Sequence, residues 1–183
     1  MKSPIHTMAI DTFVPMLRSL AKIIDKGAQH AAAKSIDPTV LANARLAPDM
    51  FPLVMQVQIA CDHAKNGTAR LMGREAPKFE DTEQSLDELK ARIAKTIDYL
   101  EKADPGAFQG AEEREIRIEL PSDLLLEMKG LQYLRDWALP HFYFHVVTAY
   151  DILRHNGVDI GKRDYLSHVG SAIRKRGDLR KAG

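Results

Sequence analysis

Residues 139–158 are apolar on almost every side, yet they carry two histidines four apart, His141 and His145. The surrounding Phe142, Tyr143, Phe144, Val146, Val147, Tyr150, Ile152 and Leu153 leave no broad polar face. A helix of this kind lies in a protein core or a membrane. The run is too short and too often interrupted by polar residues for the ~20 apolar residues of a membrane span. It therefore reads as the core helix of a soluble protein. Residues i and i+4 share a helix face, so both imidazoles point into one region. There they need hydrogen-bond partners, a ligand or a metal ion, because an unpaired buried polar group is costly.

The rest of the chain supplies helices for this one to pack against. Apolar residues at Phe13, Met16, Leu17, Leu20, Ile23 and Ile24 keep helical spacing within a first helix over 3–34, with a kink or restart expected at Pro15. Asp37-Pro38 marks a turn, and Thr39 to Ala47 a short helix. A second long helix is expected from Pro48 or Met50 to Met72, its inward face built from Leu53, Val57, Ala60, Ala64 and Leu71 and its stop at Gly73. Ser85 to Glu88 reads as a capping box opening a third, through Leu89, Ile93, Ile97 and Leu100. Glu115 to Leu120 then alternates charged and apolar residues with period two. With the turn signal Pro121-Ser-Asp and the segment Leu124 to Lys129, it predicts a small hairpin. The last helix should run over 131–155, kinked at Pro140 and stopped by Asn156-Gly157. Four long helices and one hairpin make a mainly all-α protein, an antiparallel four-helix bundle with its site between facing helices. The domain is expected over 1–166, and 167–183 reads as a basic, flexible tail.

Composition removes several function classes. A formal charge of +1 at pH 7 argues against a general nucleic-acid binder. No secretory leader or membrane span is legible, so no membrane partner is expected and the cytoplasm is the expected location. The single cysteine, Cys61, falls inside the second long helix and is expected to be a small buried hydrophobe. No phosphate-binding glycine loop, Cys-x-x-Cys pair or Ser-His-Asp order is present.

Two stretches carry a resemblance. Asn43 to Leu53 with Gln56-Val-Gln-Ile-Ala60, and later His141 to Val158, resemble the two signatures of the DUF1993 family. That family is similar to the DinB/YfiT-like superfamily of four-helix bundles. The resemblance implies a divalent metal, zinc or nickel, held by one histidine on the second long helix and a His-x-x-x-His pair on the last. His141 and His145 match the pair. Where the superfamily has its other histidine, this chain offers Gln58 or Gln56, and neutral glutamine is a poor ligand beside imidazole. His63 lies five residues beyond Gln58, on a different face from it. Asp49 and Asp62 are alternative third ligands; helix-dipole partner and solvated surface residue are their plainer roles.

The resulting expectation is a polar His/Gln site that binds a small molecule or only holds the fold, its ancestral metal site weakened. The alternative is a metal-dependent enzyme of the superfamily's thiol-transferase or isomerase type. Asn43, Arg45, Gln56, Gln58 and Tyr143 are the candidate ligand-binding residues, and Trp137 and Tyr150 the candidate packing or interface aromatics. A homodimer and a small-molecule ligand are the candidate partners.

Overall fold

A computed structural model describes residues 3–174. Its long helices are α1 (Pro4–Ala33), α3 (Leu53–Leu71), α4 (Leu86–Glu101) and α6 (Leu139–His155). Short helices α2 (Pro38–Asn43), α5 (Gly130–Tyr133) and α7 (Lys162–Tyr165) fill the connections. The hairpin pairs β1 (Glu115–Leu120) with β2 (Leu124–Lys129), Leu120 opposite Leu124. Its turn places Ser122 and Asp123 in the left-handed region, at φ 64° and 58°.

Local sequence explains most boundaries. Ser3 caps α1 by accepting the His6 amide. Ser85 and Glu88 close the expected capping box at α4. α1 runs unbroken past Pro15, which is one internal residue of a 30-residue helix. Pro140 marks an irregularity where the kink was expected. Lacking an amide hydrogen, it cannot continue the regular ladder, and residues Leu134–Ala138 take a π turn before α6 resumes.

The bundle is held by four seams: α1 with α4, α4 with α3, α3 with α6, and α6 with α1. Chain directions follow from which residues meet. Arg18 pairs with Glu101 and Asp25 with Lys90, so α1 and α4 are antiparallel. Gln56 meets His145 and Arg70 meets Tyr133, so α3 and α6 are antiparallel as well. Phe13 packs on Phe142, and Gly27 lies against Leu153, so α1 and α6 run the same way. Consequently α3 and α4 are parallel neighbours. The segment 72–85 must return along the bundle between them, and its ~46 Å reach at about 3.3 Å per residue exceeds the ~28 Å length of α3.

Arg92 of α4 anchors that return. Its guanidinium, 1% exposed, meets Asp81 at 2.9 Å, Glu83 at 3.2 Å and Asp62 at 3.1 Å. It also donates to the Glu80 carbonyl at 3.0 Å. Lys65 and Lys95 lie over the Phe79 ring of the same loop. The core between the helices includes Phe13, Leu17, Leu20, Val57, Ala64, Ile93, Phe142 and Ile152, all 0% exposed. At the start of the expected tail, Ser167–Ala172 forms a 3-10 turn, and the Ser167 and Ser19 hydroxyls hydrogen bond at 2.9 Å. The basic residues Lys175, Arg176, Arg180 and Lys181 lie outside the described residues. Among the described residues no helix is long and apolar enough to cross a membrane.

Gly130, at the junction of hairpin and last helix, has no room for a side chain: a Cβ there would stand 1.8 Å from the Ala111 carbonyl oxygen. Gly130→Ala should therefore lower unfolding free energy by about 1–3 kcal/mol, the usual range for overpacking. Urea denaturation followed by circular dichroism checks this, and an unchanged midpoint would show that the junction yields freely.

Candidate functional site

The histidines of α6 face α3, and α3 supplies a third imidazole. The His63 ring lies 4.7 Å from that of His141 and 5.8 Å from that of His145, centroid to centroid. At about 100° per residue, a seven-residue step nearly returns to the same helix face. Gln56, His63 and Arg70 therefore form one stripe along α3. Opposite them on α6 and its lead-in stand His145, His141 and Tyr133. The antiparallel seam joins these as three rungs.

The first rung fixes a proton. Gln56 donates its amide nitrogen to the Phe51 carbonyl at 3.0 Å, which identifies the atom facing His145 as its carbonyl oxygen. That oxygen accepts from His145 Nδ1 at 2.7 Å. His141 Nδ1 likewise donates to the Trp137 carbonyl at 2.9 Å, at the end of the π turn. In the neutral rings both Nε2 atoms therefore carry free lone pairs. His145 is 8% exposed, and burial, followed by the charge of His141, pushes its pKa down to about 4. His63 is also pushed down to about 4, by burial first and then by His141, His145 and Arg70. Both imidazoles are neutral at pH 7.

Three imidazoles, two with Nδ1 tied to carbonyl oxygens, are a donor set suited to zinc or nickel. Their arrangement is less suited. The ring planes of His63 and His145 are 13° apart and stacked. Among the described residues no group of three His, Cys, Asp or Glu side chains is placed to hold a metal ion. The donor chemistry fits such an ion, whereas coordination requires the His63 ring, which no described hydrogen bond fixes, to turn.

Two shallow cavities flank the cluster. One, about 360 Å³, is bounded by Pro140, His141, Phe144 and His145. The other, about 210 Å³, lies between α3, the hairpin and the π turn, against His63, Asn66, Arg70, Ile118 and Trp137. Trp137 packs at a tilt of 40° on His141, centroids 4.3 Å apart, and so touches both the cluster and this cavity.

Several expected site residues lie elsewhere. Gln58 is buried but donates to Glu83 at 2.9 Å, on the side of the Arg92 network. The role sought in Gln58 is divided between Gln56, which holds His145, and His63, which supplies the ring. Asp62 binds Arg92 at 3.1 Å and Lys65 at 2.9 Å, and its carboxylate belongs to that network. Asn43 and Arg45 are exposed and hydrogen bond within their own segment, to the Thr39 and Pro48 carbonyls. Asp49 is exposed in the same loop. Tyr143 packs beside Phe142. Burial first, and then Tyr143, raise the pKa of Tyr165, whose ring Tyr150 meets edge-on. Cys61 is fully buried, and burial pushes its thiol up to about 12, so it is an inert packing residue.

The comparisons agree with this architecture. Residues 5–166 match the family model DUF1993, described as a domain of unknown function. A crystal structure of a DinB family member protein from Shewanella denitrificans is 44% identical, with a TM-score of 0.82 over 88% of this chain and 91% of that one. No curated protein matches the chain. The match over most of the chain, together with the shared bundle, shows that the protein belongs to the DUF1993 family and is DinB-like.

Proposed function

We propose that His63, His141 and His145 together hold one divalent transition-metal ion, zinc or nickel, and that the protein acts on a small molecule at the mouth of its bundle. The observation carrying this reading is the third imidazole: His63 meets a pair whose Nε2 lone pairs are both left free. Such an ion, when bound, lowers the pKa of a bound water or thiol, or polarises a carbonyl, which suits the thiol-transferase and isomerase chemistry implied by the resemblance. The chain's own residues do the rest. Gln56 holds His145 in one tautomer, the Trp137 carbonyl does the same for His141, and Pro140 and Phe144 form an apolar rim beside them.

The stacking of the rings favours a second reading. In it the imidazoles bind a ligand through hydrogen bonds alone, and no metal takes part.

Calorimetric titration of untagged, chelator-treated protein with zinc separates the two. The metal reading expects one ion per chain, and loss of binding in His63→Phe and His145→Phe. Gln56→Leu should weaken affinity about 10–100-fold, as removal of a ligand's supporting hydrogen bond does. Gln58→His should add nothing, because position 58 faces Glu83. Absence of zinc and nickel binding in the wild type would leave the metal-free reading.

Acid should also destabilise the metal-free protein through these rings. Between pH 6.5 and about 4 the unfolded histidines take up protons that folded His63 and His145 refuse. Stability rises with pH wherever the unfolded state binds more protons. Their contribution is thus complete above pH 6.5 and is lost as pH falls toward 4. The melting temperature, measured across that window, should fall with acidity, and less steeply in His63→Phe. An equal slope in the variant would show that His63 titrates normally.

A further inference from the structure

The cavity beside His63 holds a cation that the metal reading does not use. Arg70 stands two helical turns beyond His63 on the same stripe of α3, about 10 Å along the axis at about 1.5 Å per residue. Arg70 and the buried Arg92 are in different situations. Arg92 is surrounded by the carboxylates of Asp62, Asp81 and Glu83. Arg70 makes one hydrogen bond, from Nη1 to the neutral Tyr133 hydroxyl at 3.3 Å, and no ion pair with a described carboxylate. Tyr133 is 0% exposed, so it gives the guanidinium a fixed wall to rest on.

We propose that Arg70 is the anion-recognition residue of this site, and that its ligand is a small organic carboxylate with an apolar body. The inference rests on the reading of the histidine cluster as a ligand site, and names the class of molecule that reaches it. Arginine presents a planar fork of donors that matches a carboxylate. Asn66, between His63 and Arg70 on the same wall, adds an amide. Ile59, Ile118 and Trp137 line the remainder and suit an apolar body. Asp62 is the one carboxylate on this wall, and its ion pairs with Arg92 and Lys65 reduce its repulsion of an anion. Glu75 lines the adjoining cleft with Arg74 beside it, which leaves Arg70 as the cation facing both spaces. A cavity of about 210 Å³ limits the ligand to a small molecule. A carboxylate seated on Arg70 would have its other end directed along the stripe toward His63.

Trp137 is the chain's single tryptophan and lines this cavity, so its fluorescence reports occupancy. Phenylacetate and its neutral isostere phenylacetamide are titrated into wild-type protein, with and without zinc. The acid should bind about ten-fold or more tightly than the amide, the size of one charge-assisted hydrogen bond. Arg70→Met should erase that preference while one zinc ion per chain still binds, and Arg70→Lys should keep part of it. Asn66→Asp should weaken the acid and spare the amide. It decides the matter if loss of the Tyr133 contact unfolds Arg70→Met. Equal binding of acid and amide by the wild type, or a preference that survives both Arg70→Met and Asn66→Asp, overturns the proposal. Acid preference without zinc binding would sink the metal reading alone. Zinc binding without acid preference would sink this one alone.

Discussion

The antiparallel seam between α3 and α6 is the constraint on which the candidate site depends. Each rung across it joins polar groups that are buried or half-buried: Gln56 with His145, His63 with His141, Arg70 with Tyr133. A buried imidazole without a partner would cost more than most single contacts return. The two helices are therefore locked in the one register that satisfies all three rungs. Small residues allow the approach, Gly67 standing against Ala138 so closely that a Cβ on the glycine would lie 3.4 Å from the alanine methyl. The same seam makes the site, since it is the register that brings a third ring to the His141–His145 pair.

A second polar assembly solves a problem of connectivity. Because α3 and α4 lie parallel, the segment between them must travel back along the bundle with little secondary structure of its own. Loops of that kind are entropically expensive to hold in place. Arg92 and the lysines over Phe79 fasten it through charge and aromatic contacts instead of apolar burial. Buried ion pairs of this sort contribute more to defining one path than to net stability, because desolvation offsets much of their attraction. The assembly also engages the side chains of Asp62 and Gln58, although they lie one and five residues from His63 in sequence.

Much of the architecture was legible before any coordinates. Period-two alternation located the first strand and the turn signal after it the second, Ser85 and Glu88 opened α4, and the apolar run around His145 marked the core helix. The site was half legible. Counting from Gln58 puts His63 on another face, whereas counting from Gln56 in steps of seven gives His63 and then Arg70 on a single stripe. The signal was present, and the choice between two glutamines decided whether it could be seen. Asn43 and Arg45 drew attention as polar residues in an apolar neighbourhood, but their side chains close short-range hydrogen bonds, which such residues at helix ends and turns readily do.

The sequence by itself determined which segments are the long helices, which are strand, and that two imidazoles share one helix face, because these follow from local periodicity, capping and the missing amide hydrogen of proline. The tertiary structure alone decided that α3 runs antiparallel to α6 and parallel to α4, that Gln56 rather than Gln58 holds His145, and that His63 and Arg70 open onto one cavity. The reason is physical. Local propensity fixes the rotation of a residue about its own helix axis, but which helix it meets, and at what register, is set by how buried polar groups in distant segments find one another.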